Sequence, residues 1–343
     1  MEPVKIGAYK SGGLGDMADY LVLLESVRRK HQRGSNENRD AFIHAYMNQS
    51  KAVPMFEHAS HIDAVTLIDV DGHKDGGDLF KCTAHQDFDC FYDFRPYVGR
   101  CYRGIDNLYD LDFLQEAHLP EYLRDWVNNW GWACSHTLSQ AQNTLQYRFP
   151  DKTHIEISCL SCDLPEPDWN ACEIQLPELR WKQPTKPFLS ISISSAGMDK
   201  GIRQTKTWSF KNWMAVVESL QADGYEVINV GFGLEPRLYN CRYFWDFSVM
   251  ELLAFLKASP LHIAVENGTV RLRRLVTDKP SVVLFGPTPP SLFGLPGNTA
   301  IHTERCQPCF WLTGDWMTKC PRGIDEKQIK AVWSKDFSPQ GEF

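Results

Sequence analysis

Short β-branched and aromatic runs alternate along this chain with stretches of helical periodicity, and that alternation limits it to a small set of folds. Strand-like runs fall at 4–9, 41–46, 65–70 and 88–94, then again at 188–194, 226–231, 261–265 and 281–285. Between them, 16–31 sets Tyr20, Leu21, Leu24 and Val27 on one stripe, and 211–220 and 249–257 repeat the i, i+3, i+4 spacing. Strands separated by helices predict parallel sheets wound by helices, because a parallel neighbour is reached only by a crossover.

One core does not fit such a chain. Its 343 residues exceed the size, roughly 250–300, at which a single core stops growing. The stretch 176–187 contains Pro177, Pro184 and Pro187, each of which removes a backbone donor and forces its predecessor toward extended geometry. It is the expected linker. Two α/β domains are predicted over 1–180 and 188–322, with 323–343 as a helical tail whose helix covers 325–335.

Charge excludes some partners. Residues 1–170 hold 16 Lys+Arg against 26 Asp+Glu, a net of −10, and the remainder is +3. An acidic half disfavours nucleic acid and anionic lipid, which carry the same sign. The opening residues run straight into a strand pattern without a signal-peptide layout. No apolar run approaches the roughly 20 residues a membrane span needs. A cytoplasmic chain without a transmembrane segment is expected, in which thiols stay reduced.

Three strand-to-turn junctions carry the chemistry. Ser11-Gly12-Gly13-Leu14-Gly15-Asp16 follows the first strand and opens a helix, so ligand atoms can approach the backbone and the helix end favours negative charge. Its spacing is not the G-x-G-x-x-G dinucleotide fingerprint. Asp16 reads either as a helix cap or as a general base. Glu266-Asn267-Gly268-Thr269-Val270-Arg271 and the turn 285–290 follow later strands in the same way. Open α/β sheets bind ligands at that edge. Arginines on a helix ordinarily face solvent, which is the plain expectation for Arg271, Arg273 and Arg274.

In order, the segments GGLGDM near the start, KTWSFKNW at 206–213, VINVGFGLEPR at 228–237, SVMELLAFLKAS at 248–259, 265–290 and CQPCFW at 306–311 resemble the heptosyltransferases, family 9 of the GT-B glycosyltransferases. The resemblance covers nearly all of the second half and about the first thirty residues. It implies an α/β GT-B fold with two Rossmann-like sheets facing across a cleft, and an inverting transfer of a sugar from an ADP-sugar, heptose being favoured. The acceptor hydroxyl would belong to a glycan, a lipopolysaccharide core or a protein.

Position by position, the resemblance makes Asp16 the base and Lys206 the cation that neutralises donor phosphate. Glu235 would hold ribose or base. Gly13, Gly15, Ser194, Ser195, Glu266, Asn267, Gly268, Thr269 and Arg271 would contact the donor. Glu266-Asn267 stands where the family usually has Asp-Thr, Arg271 where histidine is common, and the loop 196–205 is enlarged. A non-catalytic GT-B-like binding or regulatory protein would keep nucleotide affinity without turnover.

Cysteines fall in two groups, Cys159, Cys162 and Cys172, and Cys306, Cys309 and Cys320. Each shows three of the four ligands that a tetrahedral thiolate site needs. The second group resembles a Cys-rich tail segment of the family, which makes structural zinc or iron one reading and free thiols the other. The displacement chemistry itself requires no cofactor.

Overall fold

A computed structural model describes residues 2–33, 40–68, 88–94, 100–105, 149–182, 184–195, 206–233 and 235–302. The chain divides into two compact units, Met1–Leu176 and Pro177–Phe343.

In the first unit, β1 (Val4–Lys10) is flanked by parallel neighbours on both sides. One is β2 (Ala41–Met47), followed outward by β3 (Ala64–Leu67). On the other side lie β4 (Phe88–Asp93) and β5 (Arg100–Ile105), giving the order β3-β2-β1-β4-β5. A central strand covered on both faces reads as an unbroken apolar run, and Ile6, Ala8 and Tyr9 are fully buried. Helix α1 (Leu14–Arg33) buries Tyr20, Leu21, Leu24 and Val27, the stripe anticipated from sequence.

The expected strands pair in parallel, and the sheet departs from that pattern only at one edge, where the added β5 pairs antiparallel with β4. Only residues 94–99 separate the two strands, and a parallel return needs a dozen or more. A short helix α2 (Val53–Glu57) precedes β3, with Pro54 in its first turn. Helix α3 (His154–Ser161) falls outside the helical stretches read from sequence. It is started by a reciprocal capping box between Thr153 and Glu156, and a buried His154–Asp19 pair at 2.9 Å joins it to α1.

The second unit is a six-stranded, wholly parallel sheet ordered β11-β10-β9-β6-β7-β8. Its strands are β6 (Phe188–Ser192), β7 (Glu226–Gly231), β8 (Arg242–Trp245), β9 (His262–Val265), β10 (Ser281–Leu284) and β11 (Thr299–Ile301). Helices α4 (Phe210–Ala222), α5 (Val249–Ala258), α6 (Gly268–Val276) and the single turn α7 (Pro290–Phe293) connect them. Leu189, Ile191, Ile263, Val265, Val282 and Leu284 pack against Trp213, Val216, Val217 and Leu220 of α4. Among the described residues no helix is long and apolar enough to cross a membrane. The helix expected over 325–335 lies outside the described residues.

Candidate functional site

The second sheet changes direction beside β6. The chain leaves β6 toward β7 and β8, then returns on the other side as β9, β10 and β11. Ligands of open α/β sheets bind where strand order reverses in this way, past the carboxyl ends. Ser192, Ser194 and Ser195 end one side of that point, and Glu266-Asn267-Gly268-Thr269 ends the other.

Asn267 spans it. Its Nδ2 donates to Ser192 Oγ at 2.9 Å and to the Ser194 carbonyl at 2.8 Å. Its Oδ1 accepts from the Thr269 backbone N–H at 3.0 Å and from Thr269 Oγ1 at 2.8 Å, which makes Asn267 the N-cap of α6.

Beside this clamp lies a charged cluster. Lys206, three residues before the Ser209 N-cap of α4, donates to Glu266 Oε2. Thr288 Oγ1 donates to the same oxygen at 3.3 Å, while Arg271 Nη2 stands 3.8 Å from Oε1. Burial pushes the Glu266 carboxyl up, but the Lys206 ammonium and the Arg271 guanidinium together outweigh it and hold the group below the usual range. Two cations thus converge on one ionised carboxylate in a nearly enclosed position. Cationic groups fixed in a low-dielectric place are what a departing diphosphate needs.

Arg271 and Arg273 overturn the solvated-face expectation, since both are buried. The Arg271 guanidinium lies over the Phe293 ring at 6.0 Å and donates to the Phe293 carbonyl at 3.4 Å. Arg273 donates to the carbonyls of Leu256, Ser259, Pro260 and Pro280. A cavity bounded by Glu266, Asn267, Arg271, Phe285, Phe293 and Asn298 holds only about 30 Å³. That is room for water rather than for a sugar ring.

Glu235 follows the end of β7, on the far side of β6 from β9. Burial lifts its carboxyl above the ordinary range, offset in part by the Ser194 hydroxyl and the Phe232 backbone. Gly231 allows this approach, because a Cβ there would lie 2.9 Å from Glu235 Oε2 and inside the Trp245 ring. Arg237 stacks over Trp245 at 4.8 Å and over Tyr243 at 5.4 Å. Ser195 is buried, and its hydroxyl has no hydrogen-bond partner among the described residues.

Gly13, Gly15 and Asp16 belong to the first unit. The glycine turn is pinned by Gly12 N–H donating to Asn48 Oδ1 at 3.2 Å, and Gly12 adopts φ 143°, where a side chain would be strained. Asp16 is the third residue of α1, so the cap reading shifts by a turn: its Oδ2 accepts from the Gly13 N–H at 2.9 Å. Lys10 and Asp93, both buried, end β1 and β4 on either side of this sheet's own reversal point. Neither was singled out from sequence.

The first cysteine group is described. Cys159, Cys162 and Cys172 are buried, and burial pushes the Cys159 thiol up to about 12 and raises Cys162 well above the ordinary thiol range. Among the described residues no group of three or more His, Cys, Asp or Glu side chains could hold a metal ion. Cys306, Cys309 and Cys320 lie outside the described residues.

Two doubly wound units in series, with polar turns past the carboxyl ends of their strands, define the α/β GT-B class of fold. Solved structures that share it over nearly the whole chain include a glycosyltransferase of family 9 and a heptosyltransferase. The family 9 glycosyltransferase of Veillonella parvula superposes with a TM-score of 0.60 at 16% identity, covering 97% of both chains. The Escherichia coli heptosyltransferase WaaC with ADP gives 0.52 at 10% identity, covering 96% of this chain and 97% of that one. The iron-containing dodecameric glycosyltransferase TibC of enterotoxigenic E. coli gives 0.51 at 14% identity, over 90% of this chain and 65% of that one. No protein-family model and no curated protein matches the chain.

Proposed function

We propose that this protein is an inverting glycosyltransferase that uses an ADP-sugar donor, a heptose by its sequence resemblance, and glycosylates a hydroxyl of a glycan, lipopolysaccharide core or protein. The observation that carries the reading is the convergence of Lys206, Arg271 and Glu266 with the Ser194–Asn267 clamp at the strand-order reversal. WaaC, which shares the fold, is a heptosyltransferase solved with ADP, and that supports the choice of nucleotide.

In the transfer, the acceptor oxygen bonds to the anomeric carbon as the anomeric C–O bond to phosphate breaks, and ADP leaves. Charge grows on the departing diphosphate, where Lys206, Arg271 and the N-terminal N–H groups of α6 stabilise it. Glu266 orients the two cations. Glu235 takes the ribose hydroxyls or the base, and the raised affinity of its carboxyl for protons suits it to hydrogen bonding. Asp16 removes the acceptor proton.

Calorimetry with ADP, UDP and GDP on wild type and Lys206→Ala tests the site. ADP should bind best, and the variant should lose about tenfold or more in affinity, the worth of a charge-assisted hydrogen bond. Equal binding of all three nucleotides, unchanged by the substitution, would remove the assignment. A nucleotide-release assay with a panel of ADP-sugars separates an enzyme from a binding protein.

A further inference from the structure

Beneath the Asn267 clamp runs a buried polar chain that the transfer chemistry does not use. His262, in the first position of β9, is fully enclosed. Its Nδ1 lies 2.8 Å from Ser190 Oγ on the neighbouring strand, and its Nε2 lies 2.9 Å from Thr269 Oγ1. Ser190 Oγ lies 2.9 Å from Ser259 Oγ, and the Leu261 carbonyl is within reach of both hydroxyls, at 3.3 Å from Ser190 and 2.8 Å from Ser259. Polar groups buried in a parallel sheet cost stability unless each is satisfied. A chain of them from the rear of the sheet to the ligand edge calls for a reason.

Proton accounting fixes its direction. The Asn267 amide can be oriented only one way, because one end accepts from the Thr269 backbone N–H and the other donates to the Ser194 carbonyl. Its oxygen therefore faces Thr269 Oγ1 at 2.8 Å, and the threonine proton must lie between them. With that proton committed, Thr269 Oγ1 can only accept from His262, which must carry its hydrogen on Nε2. Nδ1 is then an acceptor, and it lies closer to the Ser190 hydroxyl, at 2.8 Å, than the Leu261 carbonyl does at 3.3 Å, so the Ser190 proton is assigned to it, with Ser259 Oγ donating toward Ser190.

We infer that His262 is a positioning residue: donated from Ser190 through His262 and Thr269, one ordered row of hydrogens locks the Asn267 carboxamide that ties the ends of β6 and β9 together. All four hydrogen-bond positions of that carboxamide are filled by Ser192, Ser194 and Thr269. Asn267 accordingly meets the donor through the backbone it holds, the start of α6, and not through its amide. The role in donor binding rests on the glycosyltransferase reading; the proton order does not.

The variants separate the two imidazole nitrogens. Glutamine at 262 can present an N–H near the Nε2 position, asparagine reaches only as far as Nδ1, and phenylalanine fills the space with no donor. ADP affinity should fall about tenfold in His262→Phe and His262→Asn, the worth of one unsatisfied buried partner. His262→Gln should stay within about threefold of wild type. Melting temperatures measured alongside show whether affinity follows this order or merely follows stability; ranking by melting temperature alone overturns the positioning role. Equal affinity across all the variants overturns it too. Nitrogen-15 NMR of the wild-type chain reads the tautomer directly, and a hydrogen on Nδ1 overturns the proton order whatever binds. If wild type takes up none of the nucleotides, the donor-site reading falls, and the role in donor binding falls with it; the NMR measurement still decides the order.

Discussion

Asn267 Nδ2 donates to the Ser194 carbonyl at 2.8 Å, joining two residues 73 positions apart across the point where the second sheet reverses its strand order. The bond closes the gap between β6 and β9 on the edge where a ligand of this fold is met. Lys206 and Arg271 flank it, held by Glu266. The site is thus assembled from β6, the approach to α4, the start of α6 and the turn after β10.

The Lys206–Glu266 pair predicts an asymmetry between stability and binding. Removing one partner of a buried pair leaves the other charge enclosed, which costs about 3–5 kcal/mol in general. Here Arg271 still faces Glu266, so Lys206→Ala is expected to cost about 2–3 kcal/mol. Adding Glu266→Gln should recover much of the lost melting temperature while leaving ADP affinity low. Recovery of both together would mean that Lys206 acts only on the fold.

Arg273 predicts the opposite pattern. Its guanidinium binds four carbonyls at the end of α5 and ahead of β9 and β10, and burial lowers its pKa only to about 10, so it stays charged at neutral pH. Arg273→Met should destabilise by about 3 kcal/mol, because carbonyls that lose a charged donor stay buried. Thermal unfolding should show a fall of about 6–12 °C for a unit of this size. ADP affinity below the melting transition should hold, and a variant that melts like wild type would show these contacts to be dispensable.

The same arginine shows where sequence reading stops. Eight strand runs were legible, seven of them inside their sheets, where strands read as apolar segments, as at Ser281–Leu284, and the eighth, the half-exposed edge strand β3, through its β-branched and apolar residues. The three strands not anticipated, β5, β8 and β11, are sheet edges. Arg242–Trp245 opens on an exposed arginine, and Thr299–Ile301 is three residues long. Helix α3 had a readable start in Thr153 and Glu156, a capping box passed over amid mixed residues. The buried arginines of α6 look like a solvated face because the carbonyls that hold them lie on other segments, 7 to 22 positions away. Lys206 and Glu266 are 60 positions apart, and Ser190 and His262 are 72 apart. Periodicity reports which face of a helix is apolar, whereas a buried ion pair is decided by what another strand brings to it.

Two buried histidines predict acid sensitivity. Burial lowers His262 to about 3, aided by the Arg273 charge, and lowers His61 to about 4, where Nε2–H donates to the Leu21 carbonyl. In the unfolded chain both titrate near 6.5. As pH falls below that value the unfolded state takes up protons that the folded state refuses, so stability declines toward acid by up to about 1.4 kcal/mol per pH unit for each histidine. The decline levels off only below the folded values. Melting temperature followed from pH 7 to pH 4.5 should fall, and less steeply in His61→Gln. A flat profile would contradict neutral, enclosed imidazoles.

Asp16→Asn tests the base. Asp16 Oδ2 accepts the Gly13 N–H at 2.9 Å, and a Cβ at Gly12 would come within 2.5 Å of the same carboxylate. The side chain is therefore part of the glycine turn as well as the proposed proton acceptor. Asparagine keeps an oxygen for the Gly13 N–H and the shape of the turn, but gives up the negative charge at the start of α1. That charge contributes about 0.3–1 kcal/mol, so melting temperature should drop by a few degrees at most. A missing general base typically lowers turnover about 10²–10⁴-fold. Sugar transfer should fall by that factor while ADP affinity, set by residues of the second unit, stays within about twofold. Asp16→Ala should lose turnover and turn stability together, because it removes both the acceptor oxygen and the charge. If Asp16→Asn transfers sugar at a rate comparable to wild type, the carboxylate serves the turn alone. The base must then be sought at the other end of the same reversal point, where Asp93 closes β4 beside Lys10.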